Sequence, residues 1–186
     1  KFKIVEMHKN KPNNIFDKLK KKITIGYDPR LLTKSTINNL FTSSKCDLKL
    51  IQENLVDKIW NKKNKMRIKR FYTLPEKHMG ESYKSKIKRT IIKMKSMKID
   101  KLLITAPENI AWLMNIRGED SKFSPIPNCN AILNLSGEVD LIVDERKIDK
   151  KFISFFKKKI RIIPRNKIIN YLIKSKNKKN KFCVDL

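Results

Sequence analysis

The chain has 186 residues, enough for one domain, or one and a half, with a buried core. Its 40% of hydrophobic residues beside 34% of charged ones excludes an intrinsically disordered protein, and no run approaches the roughly eighteen apolar residues of a membrane span. The 45 Lys and Arg residues against 18 Asp and Glu residues give a net charge of +27, which would attract phosphates, anionic membranes or acidic partners.

The positive charges are spread along the chain and are not gathered into one arm or one helix face. They concentrate in residues 18–22, 61–70, 84–98, 157–161 and 174–181. Lysine outnumbers arginine heavily and accompanies many Ile and Asn residues, a combination that A/T-rich coding produces without selection for binding. We therefore favour solvated faces over an anionic partner, and nucleic-acid binding stays open as the second interpretation.

The first quarter of the chain alternates helix and strand patterns. The predicted elements, in order, are a short helix over residues 14–22, a strand that begins at Ile23 and ends at the turn before Pro29, a helix capped by Thr33 or Ser35, and a strand over residues 47–51. Residues 61–70 are mostly Lys, Asn and Arg, and they predict a linker, with a domain boundary within residues 53–70. The predicted domains are residues 1–52 and 53–186.

The second domain begins with a helix over residues 83–98 that Ser82 can cap. Tyr83, Ile87, Ile91 and Met94 form its core stripe, which we favour over a cofactor role. The later predicted elements are a strand over 101–105, a largely buried helix that starts at Pro107, contains Trp112 and ends at Gly118, a hairpin of strands 130–135 and 139–143, a helix with Phe152, Phe155 and Phe156, a strand over 160–163, a helix with Ile168, Ile169, Leu172 and Ile173, and a strand from Phe182. This order predicts an α/β sandwich with a mixed sheet.

Residue types that carry catalysis or bind metals are sparse. His8 and His78 do not form a His-x-x-x-His or Glu-x-x-His pattern, and we predict surface side chains. The three cysteines, Cys46, Cys129 and Cys183, are far apart and predict buried reduced thiols. Glycine is too rare for a loop that cradles phosphate. The pattern gives no support to nucleotide binding.

Four acidic residues lie around a predicted strand end: Asp140, Asp144, Glu145 and Asp149. Carboxylates suit hard cations, but this group lacks a recognised ligand spacing and has basic neighbours. We favour solvated charges over a metal site.

Arg117 follows the buried helix and leads into the Ser- and Pro-containing loop of residues 119–128. An arginine fixed in this way can bind a carboxylate with two parallel hydrogen bonds. The alternative, which base rates for surface pairs favour, is a structural ion pair with Glu119 or Asp120.

Five motifs resemble, in the same order, stretches of the three-domain, cytosolic-type Xaa-Pro aminopeptidases. They are Gly26-Tyr-Asp-Pro29; Glu53-Asn-Leu-Val-Asp-Lys-Ile-Trp60; Leu74-Pro75 with Gly80-Glu-Ser82; Lys86-Ile87 with Met94; and Thr105-Ala106 with Ile110-Ala-Trp-Leu and Asn115-Ile-Arg-Gly118. The resemblance runs through nearly the whole chain. The string Ala-Trp-Leu-x-Asn-x-Arg-Gly is specific to that group.

The resemblance implies a homodimeric, cytoplasmic enzyme that removes the first residue of peptides whose second residue is proline. In this family two creatinase-type domains precede a pita-bread domain, where two Asp, one His and two Glu residues hold a pair of manganese ions. On that pattern residues 1–52 are the end of domain one and residues 53–186 are most of domain two. The chain begins at Lys1 and not at a methionine, which suggests a fragment or a processed product.

This assignment implies no catalytic residue, metal ligand or cofactor in the chain itself. The pita-bread domain would be supplied in cis or by a separate chain, proline-containing peptides would be the substrates, and Arg117 and Asn115 are the candidates for lining the substrate cleft. The loop of residues 123–129 approaches the cleft in relatives, and here it departs from their Asn-Pro pattern. The alternative function is a decayed or repurposed basic domain that binds an anionic partner such as RNA.

Overall fold

The computed structural model describes residues 4–6, 9–43, 45–60, 68–157, 159–177 and 180–185, with backbone alone for residues 176 and 177. The chain forms two compact units, residues 1–65 and 66–186. The finer division into domains of residues 1–52 and 53–186 stays a prediction.

The first unit repeats a helix-strand pattern around one parallel strand pair. Its elements are α1 (Pro12–Phe16), β1 (Ile23–Tyr27), α2 (Lys34–Phe41), β2 (Cys46–Leu50) and α3 (Leu55–Ile59). In β1 and β2, Ile23 lies opposite Cys46. Thr33 caps α2, since its side chain accepts a hydrogen bond from the amide of Thr36. The predicted order is therefore present.

One sequence expectation in the first unit was wrong, and one helix was missed. The helix expected over residues 14–22 ends at Phe16, because the lysines of residues 18–22 repel one another at helical spacing. The helix α3 was not predicted, and it lies just before the expected linker of residues 61–70. Its start is fixed by Asn54, whose side chain accepts hydrogen bonds from the amides of Val56 and Asp57. Residues 61–67 of the linker expected over residues 61–70 lie outside the described residues.

The second unit contains the remaining elements. They are β3 (Tyr72–Thr73), α4 (Tyr83–Ser96), β4 (Lys101–Ile104), α5 (Pro107–Met114), β5 (Ile116–Arg117), β6 (Asn130–Asn134), β7 (Val139–Val143), α6 (Lys150–Phe155), β8 (Ile160–Pro164), α7 (Ile168–Asn177) and β9 (Phe182–Val184), with 3₁₀ turns at Glu76–His78, Glu145–Lys147 and Arg165–Lys167. The short strands β3 and β5 pair antiparallel, with Tyr72 opposite Arg117.

A five-stranded mixed sheet forms the centre of the second unit. Its strand order is β8-β7-β6-β4-β9. Strand β6 is antiparallel to β4 and β7, whereas β8 and β9 are parallel to their neighbours. The hairpin β6–β7 turns at Gly137, whose φ of 85° favours glycine. The predicted mixed sheet is confirmed.

Helices cover both faces of this sheet. On one face α4, α5 and α6 contribute the larger core, which includes Tyr83, Ile87 and Met94 of the predicted stripe with Ile91 packed at its edge. On the other face α7 packs against Ile132 and Ile142. Every residue of β7 is buried, as expected for a central strand covered on both sides. The α/β sandwich is therefore confirmed.

Helix α5 differs from its expectation at the carboxyl end. It ends at Met114, because Asn115 adopts the left-handed conformation with φ 55° and ψ 35°. Asparagine tolerates that conformation better than most residues. Trp112, expected to be buried, is 49% exposed, because it lies on the outer side of the helix while Ile110, Leu113 and Met114 face the core.

The amino end of α5 is capped from the last described residue of the chain. Ala106 has no side chain that could cap the helix, and the carboxylate of Asp185 takes that role. It accepts hydrogen bonds from the amides of Thr105 at 2.6 Å and Ala106 at 3.2 Å, and from Asn109 Nδ2 at 3.0 Å. Asp185 follows β9, which pairs with β4, so the sheet places the cap beside the helix.

No helix in the described part of the chain is long and apolar enough to cross a membrane.

Candidate functional site

The carboxyl end of α5 brings together the two residues that the sequence singles out. Asn115 ends the helix and Arg117 lies two residues later in β5. Asn115 is only 1% exposed. Its Oδ1 atom accepts a hydrogen bond from Lys86 Nζ at 2.7 Å, and its Nδ2 atom donates to the carbonyl of Glu81 at 2.9 Å. Asn115 therefore joins α5 to α4 and is closed to direct contact with a ligand.

Lys86 is a buried cation that the sequence analysis missed. It is 2% exposed, and its Nζ atom also donates to the carbonyl of Trp112 at 2.9 Å and lies 4.7 Å from the centroid of the Trp112 ring. Burial lowers the pKa of Lys86; Glu81 opposes this effect, and Arg117 and Arg89 reinforce it. The carbonyl oxygens at the helix carboxyl end and the Trp112 ring attract a cation, which offsets part of the cost of burying this ammonium group.

Arg117 caps the same helix end from its other side. Its Nη1 atom donates to the carbonyls of Ala111 at 3.0 Å and Ile116 at 2.8 Å, and Nη2 lies 3.8 Å from the sulfur of Met79. Lys86 and Arg117 thus satisfy carbonyls of successive residues in the last turn, which have no partner within the helix. The side chain stays partly accessible.

The favoured alternative of an ion pair between Arg117 and Glu119 or Asp120 was wrong. Glu119 pairs with Lys69, and Asp120 pairs with Lys147. The reason is geometric, since the guanidinium group points back to α5 while the two carboxylates point to cations of other segments. Sequence proximity alone could not distinguish these partners.

An accessible surface surrounds this helix end, and we name it the α5-end surface. It consists of Met79, Glu81, Arg89, Trp112 and Arg117. Arg89 donates to Glu81 at 2.7 Å, and its guanidinium carbon lies 5.7 Å from the centroid of the Trp112 ring. The exposed indole of Trp112 can pack against an apolar ring, and the guanidinium groups of Arg89 and Arg117 can donate hydrogen bonds to carbonyl or carboxylate oxygens.

The loop of residues 119–128 follows the α5-end surface and is held at both ends. The amide of Gly118 donates to the carbonyl of Pro125 at 3.1 Å. Asp120 accepts a hydrogen bond from the amide of Asn128 at 2.7 Å in addition to its ion pair with Lys147. Phe123, at the middle of the loop, is 89% exposed. Hydrogen bonds therefore fix both ends of the loop, and its middle exposes the apolar side chain of Phe123.

The acidic group around β7 is structural, and the expectation of solvated charges was wrong for Asp140. Asp140 is buried and accepts hydrogen bonds from Arg161 Nε at 2.7 Å, from Tyr171 Oη, and from Asn134 Nδ2 at 3.1 Å. Burial alone would raise the pKa of Asp140, but these hydrogen bonds outweigh it and lower the pKa. The network attaches α7 to the sheet.

The other members of the acidic group serve as caps or lie at the surface. Asp144 caps the 3₁₀ turn at Glu145–Lys147, and Asp149 caps α6. Arg146 lowers the pKa of Asp144 to about 2 through its hydrogen bonds. Within the described residues no three His, Cys, Asp or Glu side chains are grouped as metal ligands would be.

The remaining candidate residues are the histidines and cysteines. His78 is exposed, as expected, and His8 lies outside the described residues. All three cysteines are free: Cys46 and Cys129 are buried as expected, whereas Cys183 is only partly so. Burial raises the pKa of Cys129 to about 12, so its thiol stays protonated.

Comparison with known proteins identifies the family. A family model described as the creatinase/prolidase N-terminal domain matches residues 61–186. A probable Xaa-Pro aminopeptidase P from Ajellomyces capsulatus (strain H143) is 32% identical over 148 residues, which are 77% of this chain and 23% of that protein. Xaa-Pro aminopeptidase 1 from Dictyostelium discoideum is 28% identical over 182 residues, 92% of this chain and 29% of that protein.

A solved structure shows the same relationship. The X-prolyl aminopeptidase from Caenorhabditis elegans, described as a cytosolic enzyme with a di-nuclear active site, matches with a TM-score of 0.75 and 25% identity over 91% of this chain and 29% of that chain. The chain thus spans less than a third of the length of these relatives. It belongs to the creatinase/prolidase N-terminal domain family, in the form found in Xaa-Pro aminopeptidases.

Proposed function

We propose that this chain is the non-catalytic amino-terminal portion of a Xaa-Pro aminopeptidase, a metallopeptidase that releases the first residue of a peptide whose second residue is proline. The family match over residues 61–186 and the similarity to much longer enzymes named Xaa-Pro aminopeptidases carry the proposal. The pita-bread domain with its two manganese ions would lie in the same polypeptide or in a separate chain. Cytoplasmic location and a homodimer are part of the proposal.

In this proposal the α5-end surface forms one wall of the substrate cleft. Among the described residues Arg117 Nη2 contacts only the sulfur of Met79, so it retains donors for a carbonyl or carboxylate of a bound peptide. Trp112 offers an accessible ring against which a proline side chain can pack. Asn115, being buried, would position Arg117 and would not touch the peptide.

The first experiment tests whether the chain acts alone. The purified 186-residue protein, supplied with manganese and a Xaa-Pro peptide, is expected to show no release of the first residue and no stoichiometric manganese binding. Turnover by this chain, or one or two manganese ions bound tightly to it, would overturn the proposal.

The second experiment tests the wall of the cleft. This chain would replace the matching 29% of the Caenorhabditis elegans enzyme, and Xaa-Pro cleavage would be measured in the chimera. Arg117→Ala is expected to lower kcat/KM by about tenfold, the effect of losing one charge-assisted hydrogen bond to substrate. Arg146→Ala is the matched control, because Arg146 pairs with Asp144 outside the α5-end surface. Equal kcat/KM in the two variants would show that Arg117 does not contact the substrate.

A further inference from the structure

A groove with a volume of about 350 Å³ runs between α4 and the turn that joins β6 to β7. Its floor is formed by Ile91, which is partly exposed, with the buried Ile87 beside it, and Ile92, which is 60% exposed, lies at its edge. The wall opposite the helix is formed by Ser136 and Gly137 of the turn. The accessible parts of Ile91 and Ile92 are apolar surface whose burial by a partner would be favourable.

Lysine side chains surround this floor, and we name the whole feature the α4 groove. Lys84, Lys88 and Lys95 line one flank of α4, and Lys159 lies across from them at the start of β8. At a rise of 1.5 Å per residue, the row from Lys84 to Lys95 is about 16 Å long. That length matches about three turns of a helix or about five residues of an extended peptide.

None of these four lysines has an acidic partner among the described residues, as is also the case for most other described lysines. No carboxylate of the described residues lies within ion-pair distance of them, whereas Lys22 pairs with Asp47, and Lys69 and Lys147 have acidic partners as well. None of the residues that line the α4 groove is acidic. The positive field over the apolar floor is therefore not compensated locally.

The shape and composition favour one class of occupant. The α4 groove is concave, so a flat bilayer could reach its rim but not its floor. Single-stranded RNA is held chiefly by stacking on accessible aromatic rings, and the groove's aromatic residue, Tyr83, is buried. An aliphatic floor with a cationic rim is complementary to a peptide that presents aliphatic side chains on one face and carboxylates beside them.

We propose that the α4 groove binds an acidic amphipathic segment of a partner protein. Aliphatic side chains of the segment contact Ile91 and Ile92, and its carboxylates pair with the four lysines. This binding site lies on the opposite flank of α4 from Lys86 and the α5-end surface. The inference is independent of the proposed peptidase role, since it uses none of the residues assigned to the substrate cleft.

The test measures binding of the full 186-residue protein to a fluorescent twelve-residue peptide by anisotropy at 150 mM salt. The peptide has leucines three and four residues apart and glutamates elsewhere, and a second peptide has the same composition with the leucines placed at both ends. The patterned peptide is expected to bind about tenfold more tightly, because only it can bury its leucines while its carboxylates face the lysines. Equal affinity of the two peptides would overturn the proposal.

Matched variants separate the groove from the overall charge. Lys88→Glu is expected to weaken binding of the patterned peptide about tenfold, and Lys93→Glu less than about twofold. Both residues are exposed on α4 and the change in charge is the same, but Lys93 does not line the α4 groove. Ile92→Ser should weaken binding about fivefold, whereas Ile169→Ser, at an exposed isoleucine of α7, should not.

Two further outcomes would contradict the proposal. Equal loss of affinity in Lys88→Glu and Lys93→Glu would show attraction to the whole basic surface and not to the groove. Stronger binding of a single-stranded RNA, or of vesicles containing phosphatidylserine, that Lys88→Glu abolishes and Lys93→Glu preserves would assign the groove to a different class of partner. Circular dichroism of each variant would verify that it is folded.

Discussion

Lys86 and Asn115 form a buried polar pair in which the ammonium group lies 2.7 Å from Oδ1 of the amide. One residue is on α4 and the other is the left-handed residue that ends α5. Neither side chain has access to water that could replace its partner. The direction in which β5 and Arg117 leave the helix therefore depends on a lysine that lies 31 residues earlier in the sequence.

Replacing Lys86 by Met is expected to destabilise the second unit by about 1–3 kcal/mol, because Oδ1 of Asn115 and the Trp112 carbonyl lose a buried donor. Urea unfolding followed by Trp112 fluorescence, in a Trp60→Phe background, would measure the loss. Lys93→Met on the exposed side of α4 is the control and should change stability by less than about 0.5 kcal/mol. Equal stability of the two variants would contradict the role assigned to Lys86.

Asp140→Asn is expected to cost about 1–3 kcal/mol at neutral pH, because a charged acceptor of hydrogen bonds from Arg161 and Tyr171 is lost. It should also change the pH dependence of stability. The folded pKa of Asp140 is lowered, so its stabilisation is present above the usual value of 3.8 and is lost as the pH falls below that value.

Urea unfolding between pH 2 and 6 would test this prediction for the pH dependence. The wild-type protein should lose more stability than Asp140→Asn in the acid part of the range. Asp47→Asn, at a surface pair of the first unit, serves as a control for general charge effects. Parallel pH curves for the wild type and Asp140→Asn would rule out the predicted linkage.

Gly118→Ala is expected to destabilise the second unit by about 1–3 kcal/mol through overpacking. A Cβ atom at this position would lie 2.8 Å from Pro127 Cα and 3.1 Å from two ring carbons of Phe71. Thermal unfolding would measure the effect, with Ser121→Ala in the exposed part of the following loop as the control. A melting temperature equal to that of Ser121→Ala would show that Pro127 and Phe71 move to accommodate the Cβ atom without loss of stability.

Asp185→Ala is expected to cost about 1–2 kcal/mol, because the amino end of α5 loses its cap. Hydrogen exchange of the amides of Thr105 and Ala106 would locate the loss, since these are the donors that Asp185 satisfies. Glu145→Ala removes an exposed carboxylate of the same unit and should leave both exchange rates unchanged. Unchanged protection in Asp185→Ala would exclude the capping role.

The parts of the fold that follow a regular period could be predicted from the sequence. The stripe of α4 and the hairpin β6–β7 were found because burial repeats every three to four residues in a helix and because β-branched runs flank a glycine turn. Strands β3 and β5 have two residues each, too few for any period, and were missed. Their pairing depends on the path of the chain around α5.

The candidate site could be predicted only in part. The motif around Arg117 pointed to the correct helix end, but the partners of this residue are backbone carbonyls, which no side-chain pattern reveals. Lys86 stands between Ser85 and Ile87 in a helix with many lysines, so nothing in the sequence separates it from its exposed neighbours. The exposure of Trp112 depends on which side of α5 meets the sheet, and that is decided by tertiary packing.

The cap on α5 can form only late in synthesis, because it is supplied by a residue near the end of the described chain. Asp185 is 80 residues downstream of Thr105, and β9 completes the edge of the sheet beside β4. When α5 is synthesised, β9 and Asp185 have not yet been added to the chain, so the amides of Thr105 and Ala106 lack this acceptor. The nascent domain reaches its final state only after residue 185 has left the exit tunnel, and until then a chaperone could reach the growing edge.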